Sequence, residues 1–382
     1  MRVLFSTTPL DGHFRPLVPL ARALQTRGNE VAFATAASFH VHVEAEGFEA
    51  LAAGAEHAAA RRVRLDAGWD AIQQLPPLDR RPSVFSYLFA QGHAPLKLPA
   101  LLAAARAWRA DALVYESGDL AAPVTAASLR IPSVNHGFGT MVSLSILERA
   151  ASAVAPLWRS AGLEPAPYAG AFEGLYVDVV PPLLEDERAL CPILRLRLAD
   201  GVPVDPPRWI ERLPRPLVYA TMGTVFNAPE SFAPLVEGLA TAGVEALLTV
   251  GRDVDPSTLG DVPPNVTVER FVPQSQVLGS CAAVVSHGGS GTLLGALAAG
   301  LPLVLLPRGA DQFENAARCE RAGAAVVLDP DEVTGDAVAA AVRLVLGEPS
   351  FAAAAQKVAA EIAAMPGPGA VAIAVEEYVA RG

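Results

Sequence analysis

Two histidines stand where chemistry is easiest to build. His13 lies in Gly12-His13-Phe14-Arg15-Pro16, shortly after the apolar run Val3-Leu4-Phe5, and His287 opens His287-Gly288-Gly289-Ser290-Gly291-Thr292. An imidazole with an ordinary pKa of about 6.5 is suited to take a proton from a hydroxyl near neutral pH, an effect worth roughly 10² to 10⁴ in rate. A base of this kind gains from a carboxylate that orients it and stabilises its cation. Glu116 and Asp119 both follow the apolar run 112–115 and qualify by position. A glycine-rich turn from a strand into a helix does something different. It lets backbone approach a ligand and aims unpaired N–H groups at it, which suits a phosphate. Close strand-to-helix packing also selects glycine, so the turn alone does not decide.

Composition narrows the field. The chain has 382 residues, 52% apolar and 18% charged, which supplies material for two buried cores and exceeds what one core usually serves. A net charge of -11 and a pI near 5.2 argue against nucleic acid as a partner. The apolar run at the N-terminus is too short for a secretory signal, and Pro, Gly or a charge interrupts every candidate membrane span. Cys191, Cys281 and Cys319 are odd in number and share no metal-type or paired spacing. A cytoplasmic protein without stable membrane insertion is expected. No His/Cys cluster offers a metal site, and no cofactor is expected.

The elements that must position the two histidines follow from pattern. A strand at 2–6, a loop, a helix at about 16–27 and a strand at 30–34 make a βαβ unit and imply a parallel sheet. A third strand belongs near 48–51, followed by a mostly helical stretch to about 109. A strand at 112–115, a helix at 120–129 and a strand at 131–135 continue the alternation. Prolines crowd 181–216, the best candidate linker, and divide an N-terminal domain at 1–205 from a C-terminal one at 206–382. The second domain repeats the pattern, with strands at 216–223, 246–250, 266–269, 282–286, 303–306 and 325–328. A last helix at about 370–380 can pack on either domain.

Four stretches resemble the inverting, nucleotide-sugar-dependent glycosyltransferases of the UDP-glycosyltransferase superfamily, family 1. They are Gly12-His13-Phe14-Arg15-Pro16, Phe271-Val272-Pro273-Gln274, His287 to Thr292, and Asp311-Gln312, in the family's order and with its interval from His287 to Asp311. The resemblance covers nearly the whole chain. It implies the GT-B fold, an α/β architecture of two facing Rossmann-like domains with parallel sheets and a ligand where their carboxyl ends meet.

The resemblance also implies roles. Phe271 and Val272 would face the nucleobase, although Phe271 also reads as an ordinary core aromatic, and Gln274 closes that motif. His287, Gly288, Gly289, Ser290, Gly291 and Thr292 would hold the diphosphate, with Thr224 after the strand at 216–223. Asp311 and Gln312 would meet the sugar hydroxyls, although Asp311 also suits a helix N-cap. His13 would be the general base, held by Glu116 or Asp119, with Glu116 preferred. Many members that use uridine donors carry a glutamate for the ribose hydroxyls where this chain has Gly295. Its absence favours a TDP-sugar over a UDP-sugar. The closest resemblance is to actinobacterial enzymes that place deoxysugars on antibiotics.

The acceptor would then be a small hydrophobic or aromatic natural product, walled by Trp69, Phe85, Phe89, His136, Phe138 and Met141, residues that equally suit a core. Oxygen, carbon and nitrogen all remain open as the attacked atom, and the chain can act as a monomer or a homodimer. Four rival readings share parts of this pattern: a UDP-sugar-dependent transferase acting on a lipid, a nucleotide-sugar epimerase, a non-catalytic glycosyltransferase helper and a dinucleotide-binding oxidoreductase. A lipid enzyme should show a basic or apolar face, and an epimerase has no need of the His13 motif. A helper should have lost His13 or Asp311-Gln312, and no G-x-G-x-x-G follows the first strand.

Overall fold

The computed structural model describes all residues except 55, 57–66, 76, 199–204, 224–230, 253 and 382. Two compact units emerge. Unit 1 comprises Met1–Val179, Glu187–Leu198 and Pro366–Gly382; unit 2 comprises Val180–Asp186 and Ala199–Met365. The sequence suggests one boundary, whereas the chain passes between units four times, because the proline-rich stretch contributes short pieces to both.

Unit 1 is built on seven parallel strands in the order β3-β2-β1-β4-β5-β6-β7: β1 Arg2–Ser6, β2 Glu30–Thr35, β3 Glu49–Ala52, β4 Ala112–Glu116, β5 Ser133–His136, β6 Leu175–Asp178 and β7 Ile193–Arg195. β6 and β7 are additional to the strands legible in sequence. The apolar run in β1 is buried because a parallel sheet has helices on both faces, and Val3, Leu4 and Phe5 have no exposed surface. Leu4, Leu113 and Tyr115 share a core with Leu101 and Trp108 of the helix Ala94–Trp108. A π-helix, Ser86–His93, leads directly into that helix. The closing helix Pro368–Arg381 belongs to this unit, where Glu376 accepts from Arg27 and from Asn29, each at 2.7 Å.

Unit 2 has six parallel strands in the order β10-β9-β8-β11-β12-β13: β8 Leu217–Thr221, β9 Glu245–Thr249, β10 Val266–Glu269, β11 Ala283–Ser286, β12 Leu303–Leu305 and β13 Ala325–Val327. Val218, Ala220, Phe232, Leu248 and Val285 lie in its core. Both sheets therefore reverse their strand order beside their first strand, between β1 and β4 and between β8 and β11. Such a reversal opens a crevice at the strands' carboxyl ends, where ligands bind in folds of this kind. Among the described residues, no single helix is long and apolar enough to cross a membrane.

Candidate active site

In unit 1, His13 sits in the short helix Asp11–Phe14 that follows β1, and Glu116 ends β4. The two converge at the reversal point. His13 Nδ1 is 3.1 Å from Glu116 Oε2, with the imidazole 13% exposed and the carboxylate fully enclosed. Nδ1 makes no well-aligned hydrogen bond among the described residues. Catalytic hydrogen bonds commonly tighten only once substrate is bound.

The Glu116 carboxylate is held from several sides. Oε1 accepts from Thr8 N at 3.2 Å and Thr8 Oγ1 at 2.6 Å, and Oε2 accepts from Gly118 N at 2.5 Å. Burial pushes its pKa up, but the neighbouring His13 and the donors from Thr8 and Gly118 outweigh that and leave it at about 2. Asp119, the other candidate, is engaged elsewhere: its Oδ2 lies 2.7 Å from Lys97 Nζ and accepts from Ser6 Oγ at 2.6 Å.

The acceptor-wall candidates separate. Phe138 stacks on His13 with centroids 4.3 Å apart, and Phe89, on the π-helix, lies 5.6 Å from it and 4.9 Å from Phe85. Phe85, Phe89, Phe138 and Met141 are half-buried. His136 is core instead: it is fully buried, its Nδ1 faces the Gly137 carbonyl at 2.7 Å, and burial pushes its pKa down to about 4 despite that bond. Trp69 packs on Tyr87 at 5.7 Å.

In unit 2, Ser286 ends β11 and the loop 287–289 leads into the helix Ser290–Ala298. Gly289 caps that helix without a side-chain bond, so its first N–H groups keep their ligand-binding capacity. The His287 ring lies flat between two backbones. A Cβ on Gly223 or on Gly289 would come within 2.5 Å of it, which is why glycine occupies both. Burial pushes the His287 pKa down to about 4, against the pull of Asp311 and the Thr221 backbone. At neutral pH it is an uncharged donor or acceptor.

Asp311 occupies the N-cap position of the helix Gln312–Arg321 but makes no cap bond. Its Oδ2 instead accepts from Ser290 Oγ at 2.7 Å and Asn315 Nδ2 at 3.0 Å. Gln312 is buried, with Oε1 taking the N–H groups of Arg308 at 2.7 Å and Gly309 at 3.1 Å, so its amide nitrogen is the end left for a hydroxyl. Gln274 Nε2 donates to Thr292 Oγ1 at 2.7 Å. Phe271 is no core aromatic: it is 44% exposed, with the Arg252 guanidinium 3.8 Å above its ring, while the Val272 side chain is buried. Thr224 lies outside the described residues.

The chain is similar to known proteins along nearly its whole length. Residues 235–378 match the family described as erythromycin biosynthesis protein CIII-like, C-terminal domain. The elloramycin glycosyltransferase ElmGT of Streptomyces olivaceus is 34% identical over 97% of this chain and 96% of its own, and the L-demethylnoviosyl transferase of Streptomyces niveus is 30% identical over 97% of each. The spinosyn rhamnosyltransferase SpnG, complexed with spinosyn aglycone, matches with a TM-score of 0.81 at 29% identity over 98% of this chain and 100% of its own. VinC, complexed with dTDP, matches with a TM-score of 0.80 at 25% identity over all of both chains. The chain belongs to the family 1 GT-B glycosyltransferases of natural-product biosynthesis.

This glycosyltransferase also uses residues that its motifs do not announce. Asn315, buried on the first turns of its helix, donates to Gly288 O at 2.9 Å and lies 3.1 Å from Ser290 Oγ as well as bonding Asp311. Its place four residues after Asp311, on the same helix face, was the available signal. Thr8 and Lys97 had none beyond a hydroxyl in a loop and a lone cation in the apolar run Pro95-Leu96-Lys97-Leu98.

Proposed function

We propose that the enzyme moves a deoxysugar, with inversion, from a TDP-sugar to a hydroxyl of a small, largely apolar natural product in the cytoplasm. The observation that carries the mechanism is the His13–Glu116 pair at the β1/β4 reversal, flanked by Phe89 and Phe138. His13 takes the acceptor proton as the acceptor oxygen bonds to the anomeric carbon. The bond from that carbon to the diphosphate oxygen breaks on the opposite face, and TDP leaves with the electron pair. Glu116, ionised at any working pH, stabilises the imidazolium. The uncapped helix N-terminus at Ser290 and the neutral His287 supply donors where charge develops on the diphosphate. These donors serve without a metal ion, so activity should persist in chelator.

The choice of TDP rests on Gly295, which offers no carboxylate to a ribose 2′-hydroxyl. VinC and SpnG have each been seen with thymidine diphosphate, which supports the same choice. Thermal shifts with TDP and UDP at matched concentrations test it, because a ligand that binds only the folded state stabilises by RT ln(1 + [L]/Kd). A larger shift with TDP is expected. A larger shift with UDP would return the enzyme to uridine donors, and no shift with either would remove the donor assignment altogether.

A further inference from the structure

Outside the reacting pair, Lys97 and Asp119 are buried charges that the mechanism above does not use. Lys97 enters from the helix Ala94–Trp108, and its Nζ lies 2.7 Å from Asp119 Oδ2, 2.7 Å from Thr7 O and 3.4 Å from Ala34 O. An ammonium has three donors, and these three acceptors answer them. Asp119 Oδ2 also accepts from Ser6 Oγ at 2.6 Å, and Asp119 N closes a turn onto Glu116 O at 2.8 Å. One ion pair thus ties together the end of β1, the end of β2 and the turn after β4.

We propose that Lys97 is a positioning residue for glycosyl transfer: its ion pair with Asp119 fixes the two turns that present His13 and Glu116 to each other. The route is short. Lys97 holds the Thr7 carbonyl; the next residue, Thr8, gives both its N–H and its hydroxyl to Glu116 Oε1; and Glu116 Oε2 meets His13. From the other side, Asp119 closes the turn whose Gly118 N–H holds Glu116 Oε2. The helix that carries Lys97 also continues the π-helix that lays Phe89 beside His13. Stability alone does not account for the pair. Lys97 is buried on a helix whose Leu98, Leu101 and alanines belong to an apolar core, and well-packed apolar replacements of buried ion pairs are often neutral or stabilising. A buried ammonium that orders two turns of an active centre has a second reason to be there.

This inference rests on the His13–Glu116 reading, and its test separates the two. Neutral histidine exists as Nδ1–H or Nε2–H, and imidazole ¹⁵N shifts distinguish them. With the protein uniformly labelled and His13 assigned by its disappearance in His13→Ala, the parent should show the Nδ1–H tautomer, pinned by Glu116. Lys97→Met with Asp119→Leu should fold, bind TDP as the parent does, and lose that preference to a mixture of both tautomers. Thr8→Val, which disturbs no charge, should lose it too. A parent without the Nδ1–H preference overturns the His13–Glu116 reading itself. A parent with it and a folded double variant that keeps it overturns the positioning role alone. If the double variant does not fold, an unchanged spectrum in Thr8→Val overturns it.

Discussion

The two sheets reverse strand order at equivalent places and fill the two crevices differently. Between β1 and β4 stand charges: Glu116 with His13, and Asp119 with Lys97. Between β8 and β11 stand glycine backbone, hydroxyls and a histidine whose pKa is pushed to about 4. Burial acts on both, and the partners of the charged form decide the outcome. Glu116 keeps its charge in a closed site because Thr8, Gly118 and His13 all serve it, whereas His287 lies between Gly223 and Gly289 and sheds its proton. One topology thus yields a charged crevice in unit 1, the proposed proton-handling centre, and a neutral one in unit 2, the proposed cradle for the diphosphate.

The largest effect should come from breaking the charged crevice without touching the neutral one. His13→Ala removes the proposed base, and kcat should fall by roughly 10² to 10⁴. TDP affinity, measured by calorimetry, should stay at the parent value. A variant that binds TDP poorly would show that the division of labour between the units is wrong.

Acid should next expose the neutral histidines. His136 and His287 have folded pKa values of about 4, below the unfolded 6.5, so the unfolded chain binds more protons between those values. Their contribution to stability is complete above pH 6.5 and is lost as pH falls toward 4; for the enclosed His136 it is about 3 kcal/mol. Glu116, depressed from 4.5 to about 2, adds a further loss as pH falls from about 4.5 toward 2. Urea unfolding at pH 7, 5.5 and 4.5 checks the first step. His136→Phe should flatten part of the slope, and stability that is level across this range would contradict the burial argument.

A milder perturbation tests the cradle. Alanine at Gly289 suits its backbone but sets a methyl within 2.5 Å of the His287 ring. Overpacking of this kind costs ~1–3 kcal/mol, so TDP should bind about tenfold or more weakly, with little change in kcat at saturating donor. Unaltered affinity would mean that His287 can move aside without consequence for the diphosphate.

Sequence made the chemistry more legible than its support. His13 and the His287 loop follow strands directly, so local pattern sufficed to place them on strand-end turns. Choosing Glu116 over Asp119 required knowing which acid Lys97 takes, and that pairing depends on a helix laid across the sheet. β6 and β7 escaped notice because strands of four and three residues amid glycine, proline and charge carry too little pattern. Gln312 shows the converse. Its motif is plain, yet its carbonyl supports the loop 308–309, a use that no spacing encodes.

The smallest expected effect bears on the nucleotide. A Cβ at Gly295 would meet only Leu278 Cδ1 at 3.4 Å and Gln274 Oε1 at 3.7 Å, ordinary contact distances. The backbone at Gly295 therefore accepts a Cβ, and Gly295→Glu replaces a poor helix former with a good one inside the helix Ser290–Ala298. A carboxylate introduced there should accept from both hydroxyls of a ribose but from only the 3′-hydroxyl of a deoxyribose. A hydrogen bond to a charged group is worth ~1.5–3 kcal/mol, so the ratio of UDP to TDP affinity should move toward UDP by about tenfold. An unmoved ratio would show that Gly295 does not set the preference. Phe271, with Arg252 over its ring, would then be the residue to vary against the thymine methyl.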